Sequence, residues 1–194
     1  MKNISSEIAD MLWNQGIIQE DDVNTCKYGI DLFISSFLEI LSILAIAIAF
    51  GNFIETTLLF VFFIPLRIYA GGYHADTKLK CYLISLMMYG FSYVIATKVS
   101  CEMHVLLNVI GTLFSLVIVI IKAPIIHANK NVNDIERKNY RKISIEICLL
   151  ETAVILLLTR IVPKNIIITY LAIGQTSVGI SMVAAVVKKH ITGK

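Results

Sequence analysis

Residues 30–50 read IDLFISSFLEILSILAIAIAF, an apolar run interrupted by only two charges, Asp31 and Glu39. The hydrocarbon core of a bilayer is about 30 Å thick, so a helix that crosses it needs about 20 mostly apolar residues. This run meets that requirement. Working outward, five more segments have the same character, roughly 53–68, 82–99, 105–121, 143–159 and 166–187. The first of these is the weakest, being short, with Glu55 near its start and Pro65 near its end. It reads either as a re-entrant segment or as a span whose polar end runs directly into a functional loop.

Composition supports lipid as the main solvent. Hydrophobic residues make up 57% of the 194 positions, charged residues 16%, and the mean hydropathy is +0.76. A soluble domain averages about 45–50% apolar and about 25% charged residues, so a water-soluble fold of this sequence would have too few charges to cover its exterior. The expected fold class is therefore all-α, a polytopic membrane helical bundle of about six transmembrane helices forming a single domain over residues 1–194. The net charge of +3 is too small to suggest nucleic acid as a partner.

Cytoplasmic loops are enriched in Lys and Arg. With six spans and both termini inside, only Lys98, Arg160 and Lys164 of the 17 basic residues fall outside, leaving 14 on the cytoplasmic side. The same arithmetic favours a true crossing for the short second segment, since losing it would invert every later loop. The lipid bilayer is thus the first expected partner, with both termini in the cytoplasm.

Residues 1–28 have a different pattern. Ile4, Ile8, Met11 and Leu12 form an apolar stripe at helical spacing, with Trp13 beside it and Gly16 available to end the helix. This is expected to be a cytoplasmic amphipathic helix, either lying in the membrane interface or packed on the protein's own loops. The segment carries acids and no continuous apolar stretch, unlike a cleavable signal peptide.

The stretch most suggestive of chemistry is RIYAGGYHADTKLKC, Arg67 to Cys81, within a cytoplasmic loop expected over residues 66–81. Gly71 and Gly72 allow positive φ and close backbone approach. Asp76 or Thr77 is placed to cap the third span, which puts Cys81 about one turn inside a helix N-terminus, where a thiolate is favoured. A continuous helix from His74 to Cys81 would hold the two about 10 Å apart, so pairing requires the loop to fold back. Cys–His pairs serve acyl transfer, with His as base and then as acid. On spacing alone, a His and a Cys in one membrane loop are more often structural than catalytic. Cys26, Cys101 and Cys148 read as small buried apolar residues, and no spacing suggests a disulfide, a metal site or a cofactor motif. No H-E-x-x-H, G-x-S-x-G or P-loop pattern is present.

The pattern Arg67-x3-Gly71-Gly72-x-His74-x6-Cys81 resembles the signature of the accessory gene regulator B family, bacterial membrane endopeptidases that process quorum-sensing peptide precursors. Tyr28-Gly29 before the first span is similar to that family's entry segment. Within the basic cytoplasmic loop 122–142, Ala123-Pro124 and the stretch after it that ends Arg137-Lys-Asn-Tyr-Arg-Lys142 are similar to its second cytoplasmic loop, although Asp134 and Glu136 make this loop less uniformly basic. The resemblance implies that Cys81 is the nucleophile, that His74 activates it, and that Arg67, Gly71 and Gly72 support the site or bind substrate. It also implies a thioester on Cys81, cyclisation to a thiolactone or lactone, a small propeptide with an acidic tail as partner, location in the bacterial plasma membrane, and a homodimer. Arg67 reads equally as a topological anchor, and Glu39 as a structural polar group. Two other readings are a small transporter or channel, with Glu39 and Arg67 lining a path, and a non-catalytic adaptor docking through residues 122–142.

Overall fold

A computed structural model describes residues 4–73, 77–126, 132–163 and 165–192, the side chains of Cys101 and Thr192 excepted. Among them the regular elements are helical. A first helix, α1 (Ile4–Asn14), leads through a single 3-10 turn into α2 (Val23–Ala49), α3 (Phe53–Ala70), α4 (Lys78–Lys98), α5 (Cys101–Lys122), α6 (Asp134–Ile161) and α7 (Ile166–Thr192). The all-α membrane bundle expected from the sequence is what the chain forms.

The helix ends follow from local chemistry. Gly16, at φ +70°, ends α1, and the Ile17 amide reaches back to the Leu12 carbonyl at 3.0 Å, the Schellman arrangement a left-handed glycine permits. Thr77 caps α4 by accepting from the Lys80 amide at 3.3 Å. Of the two expected caps Thr77 fills the role, and Asp76 lies outside the described residues. Asn133 and Glu136 form a reciprocal capping box on α6, at 2.8 and 3.2 Å. The Glu136 that dilutes the basic loop is therefore part of that helix start.

Five described helices, α2, α3, α4, α5 and α7, are long and apolar enough to cross a membrane. The short second segment is a continuous helix of 18 residues with Pro65 inside it, and not a re-entrant loop. The expected span 143–159 lies within α6, a helix of 28 residues that carries Glu146, Glu151 and Arg160 along its apolar part and so is more charged than the other five.

Packing is uneven. The spanning part of α7 is 61% buried, against 11–28% for the other four, and it runs along both α3 and α5. Small residues allow the close approach: a Cβ on Gly174 would lie 2.6 Å from the Leu59 carbonyl oxygen, and one on Gly179 would lie 2.9 Å from Ser115 Cα. Between lipid-facing helices such contacts replace the hydrophobic drive available in water. By contrast α2 and α4 present mostly exposed apolar faces, with Phe33 at 71% and Phe91 at 69%, as lipid-facing side chains should. A cluster of Leu66, Ala70, Val119, Ala123, Cys148, Val178 and Met182 closes the bundle beneath the glycine loop.

Candidate active site

The end of α3 is strapped to two distant parts of the chain. Gly71 leaves the helix at φ +75° and forms a parallel bridge with Ile125, whose amide donates to the Ala70 carbonyl at 2.9 Å. A Cβ on Gly71 would collide with the Ile125 carbonyl oxygen. Gly72, at φ +143°, is buried, and a Cβ there would overlap the Arg67 guanidinium and lie 2.8 Å from Ser181 Oγ. The Tyr73 amide then donates to the Ser181 carbonyl at 3.0 Å and to Ser181 Oγ at 3.1 Å. Lys188 Nζ stands 5.1 Å over the Tyr73 ring, within cation–π range.

Arg67 is folded into this loop. Its Nη2 donates to the Tyr73 carbonyl, while Nη1 is buried with no hydrogen-bond partner among the described residues. It also lies within electrostatic range of Cys81, as does Tyr28 on α2. Cys81 is half-buried in the first turn of α4 with its thiol free of any disulfide. Its own amide donates to the Thr77 carbonyl at 3.1 Å, and the Lys80 amide is taken by Thr77 Oγ1. Neither amide is therefore spare for an oxyanion, whereas Arg67 Nη1 is. The structure thus brings Arg67, Gly71, Gly72 and Cys81 to one end of the bundle. His74 lies outside the described residues.

Beside the loop runs a groove of about 440 Å³ between the end of α5 and the start of α6. Lys122, Arg137, Lys138 and Arg141 line it, with Asp134 as the one acid among the lining residues. Arg141 is committed locally, donating to the Ala123 carbonyl at 3.1 Å and to the Ile120 carbonyl at 2.9 Å, so it caps α5. Lys122, Arg137 and Lys138 remain as the positive wall. The groove adjoins the glycine loop through Ala123–Ile125, the segment bridged to Gly71.

Of the remaining cysteines, Cys148 is buried and accepts from Gln175 Nε2 at 3.1 Å, a packing role. Among the described residues no group of three or more His, Cys, Asp and Glu side chains is arranged to hold a metal ion. Sequence reasoning missed Ser181, Ile125 and Asp31. The first two lie on segments far from the motif, Ile125 acting through its backbone and Ser181 through both its carbonyl and Oγ, and leave no trace in spacing. Asp31, one of the two charges in the run 30–50, meets Lys78 on α4 at 2.6 Å, a pairing that the run itself does not reveal.

The family model described as accessory gene regulator B matches residues 5–183 of the chain. No curated protein and no solved structure matches it.

Proposed function

We propose, from the premise that the chain belongs to the accessory gene regulator B family, that it is a membrane cysteine endopeptidase and cyclase acting through Cys81. A role in processing quorum-sensing peptide precursors at a membrane comes with family membership. The chemistry beyond that is our reading. The observation that carries it is the Arg67 guanidinium seated against Gly72, its Nη1 buried without a partner among the described residues, at the same end of the bundle as the half-buried Cys81 in the capped first turn of α4.

In this mechanism His74 removes the Cys81 proton, and Sγ attacks a carbonyl carbon of a small propeptide. The oxyanion that develops takes a hydrogen bond from Arg67 Nη1, a donor held in place before the reaction begins. Collapse breaks the C–N bond. His74 returns its proton to the leaving amine, and the C-terminal tail departs while the rest of the peptide stays on Cys81 as a thioester. A Cys or Ser side chain of the same peptide then gives its proton to His74 and attacks the thioester, closing a thiolactone or lactone and releasing the Cys81 thiolate, which is reprotonated for the next cycle. Exchanging an amide for a thioester is uphill, so hydrolysis must be suppressed by a site that excludes water and the product must be drawn off. The groove lined by Lys122, Arg137 and Lys138 suits an acidic tail, which its positive wall would attract and orient.

Intact-mass spectrometry of the reconstituted protein, incubated with the propeptide encoded beside it, tests the reading. The expected result is an adduct equal to the propeptide minus its tail, cleaved by hydroxylamine and absent from Cys81→Ala. Equal cleavage by Cys81→Ala would overturn the mechanism.

A further inference from the structure

We propose that Asp31 is a positioning residue for Cys81, tying the first turn of α4 to α2 and α1; this rests on the reading of Cys81 as the nucleophile. Both carboxylate oxygens of Asp31 are engaged, each by a different helix. Lys78 Nζ, from the first residue of α4, pairs with Oδ2 at 2.6 Å, and Ser5 Oγ, from α1, donates to Oδ1 at 3.2 Å. Lys78 lies three residues before Cys81, so the two sit on neighbouring positions of the same helix face. Tyr28, one turn before Asp31 on α2, lies within electrostatic range of Cys81. The face of α2 that bears Asp31 is thus the one that meets the first turn of α4, the turn that carries Cys81.

Such a tie matters because of how α4 is held. The Arg67–Gly72 cradle belongs to α3, which is packed along the buried α7, whereas the spanning part of α4 is only 17% buried and packs mainly against α7 and α2. Nucleophile and guanidinium thus sit on separately anchored elements, and their relative placement depends on what fixes the start of α4. Thr77 caps that start within its own helix and gives it no external anchor. The other ion pair among the described residues, Lys142–Glu146, lies within α6. Asp31–Lys78 joins two helices, and it does so at the active-site end.

The tie extends to the first helix. α1 packs on α2 through Ser5 and Ala9, both buried, and leaves Ile4, Ile8 and Met11 exposed on its other side. A helix seated in the membrane interface by those residues would hold Ser5 against Asp31, and through Lys78 would fix the height of Cys81 relative to the bilayer. The ion pair is half-exposed, with side chains 57% and 30% accessible, and pairs of that kind add little to global stability. A loss of activity on breaking it would therefore report position and not unfolding.

The test uses the full chain in liposomes with two readouts. One is steady-state cleavage of the propeptide. The other is the rate of Cys81 alkylation by N-ethylmaleimide, followed by peptide mapping so that the other cysteines stay native. Asp31→Asn should lower kcat about tenfold with KM within about twofold, as a nucleophile displaced by a fraction of an ångström would, and should change the alkylation rate by about threefold or more. Lys78→Gln, at an exposed position, should do the same, and it carries the test if Asp31→Asn does not fold. Exchanging the charges in Asp31→Lys with Lys78→Asp should recover most of the lost kcat. Rates and alkylation within about twofold of wild type in the single variants would overturn the proposal, as would a loss confined to KM or a charge exchange that recovers nothing. Cleavage by Cys81→Ala would instead overturn the nucleophile reading, and the alkylation rates would still decide whether Asp31 sets the placement of Cys81.

Discussion

The Arg67 guanidinium occupies the space in which a side chain at residue 72 would begin, lying against the Gly72 Cα with Ser181 Oγ on the far side. The glycine is thus required twice over, by its φ of +143° and by the guanidinium lodged against it. Gly72→Ala should displace Arg67 from the loop and lower propeptide cleavage about a hundredfold, the scale expected for misplacing a catalytic group by about 1 Å. Circular dichroism should show the helical bundle intact. Cleavage near the wild-type rate would mean that the Arg67 position is irrelevant to the reaction.

Arg67→Lys separates charge from geometry. A lysine keeps the positive charge but loses the planar fork that serves the Tyr73 carbonyl through one nitrogen and leaves the other free. With Nη1 as the oxyanion donor, kcat should fall about 10²–10³-fold, the usual cost of removing such a donor, with KM little changed. A purely topological anchor would tolerate the lysine, and full activity in this variant would reassign Arg67 to that role.

The basic groove makes a prediction that separates its arginines. Arg137→Gln together with Lys138→Gln should raise KM for an acid-tailed propeptide about tenfold, with the effect shrinking as salt is added. Arg141→Gln should act differently, because its guanidinium caps α5 at the Ala123 and Ile120 carbonyls. Its expected signature is a Tm lowered by about 2–4 °C, the scale of one lost hydrogen-bonding group in a chain of this size. Thermal unfolding alongside cleavage kinetics over a salt series distinguishes the two.

Asn133→Ala serves as a structural control at the same loop. It removes one half of the capping box with Glu136 and should cost about 1 kcal/mol in stability while leaving kcat for cleavage within about twofold of wild type. A large fall in kcat would place the start of α6 in the catalytic step.

Much of this molecule was legible before any coordinates. The run 30–50 and its counterparts mark where lipid is the solvent, and the helices fall on them, with α2, α4, α5 and α6 beginning several residues earlier than their apolar cores. The segment 53–68 could be read two ways, because a Pro and a short length are compatible with both, and a continuous α3 resolves it. The position of Cys81 at a capped helix start followed from Thr77, since capping is a local hydrogen bond between residues three apart. The pairing of His74 with Cys81 stays within the proposal, His74 lying outside the described residues.

The sequence by itself determined which segments have lipid as their solvent and several of the helix ends, and it marked the residues that the proposal puts to acyl transfer. These are one-dimensional properties: whether a stretch of backbone can be satisfied in lipid depends on that stretch alone. Only the tertiary structure decided that α7 is the buried centre, that Ile125 and Ser181 clasp the glycine loop, and that Asp31 meets Lys78. Those contacts join residues 47 to 108 positions apart in the chain. They depend on which helix faces approach closely, a matter settled by small residues and register once every span already satisfies the membrane.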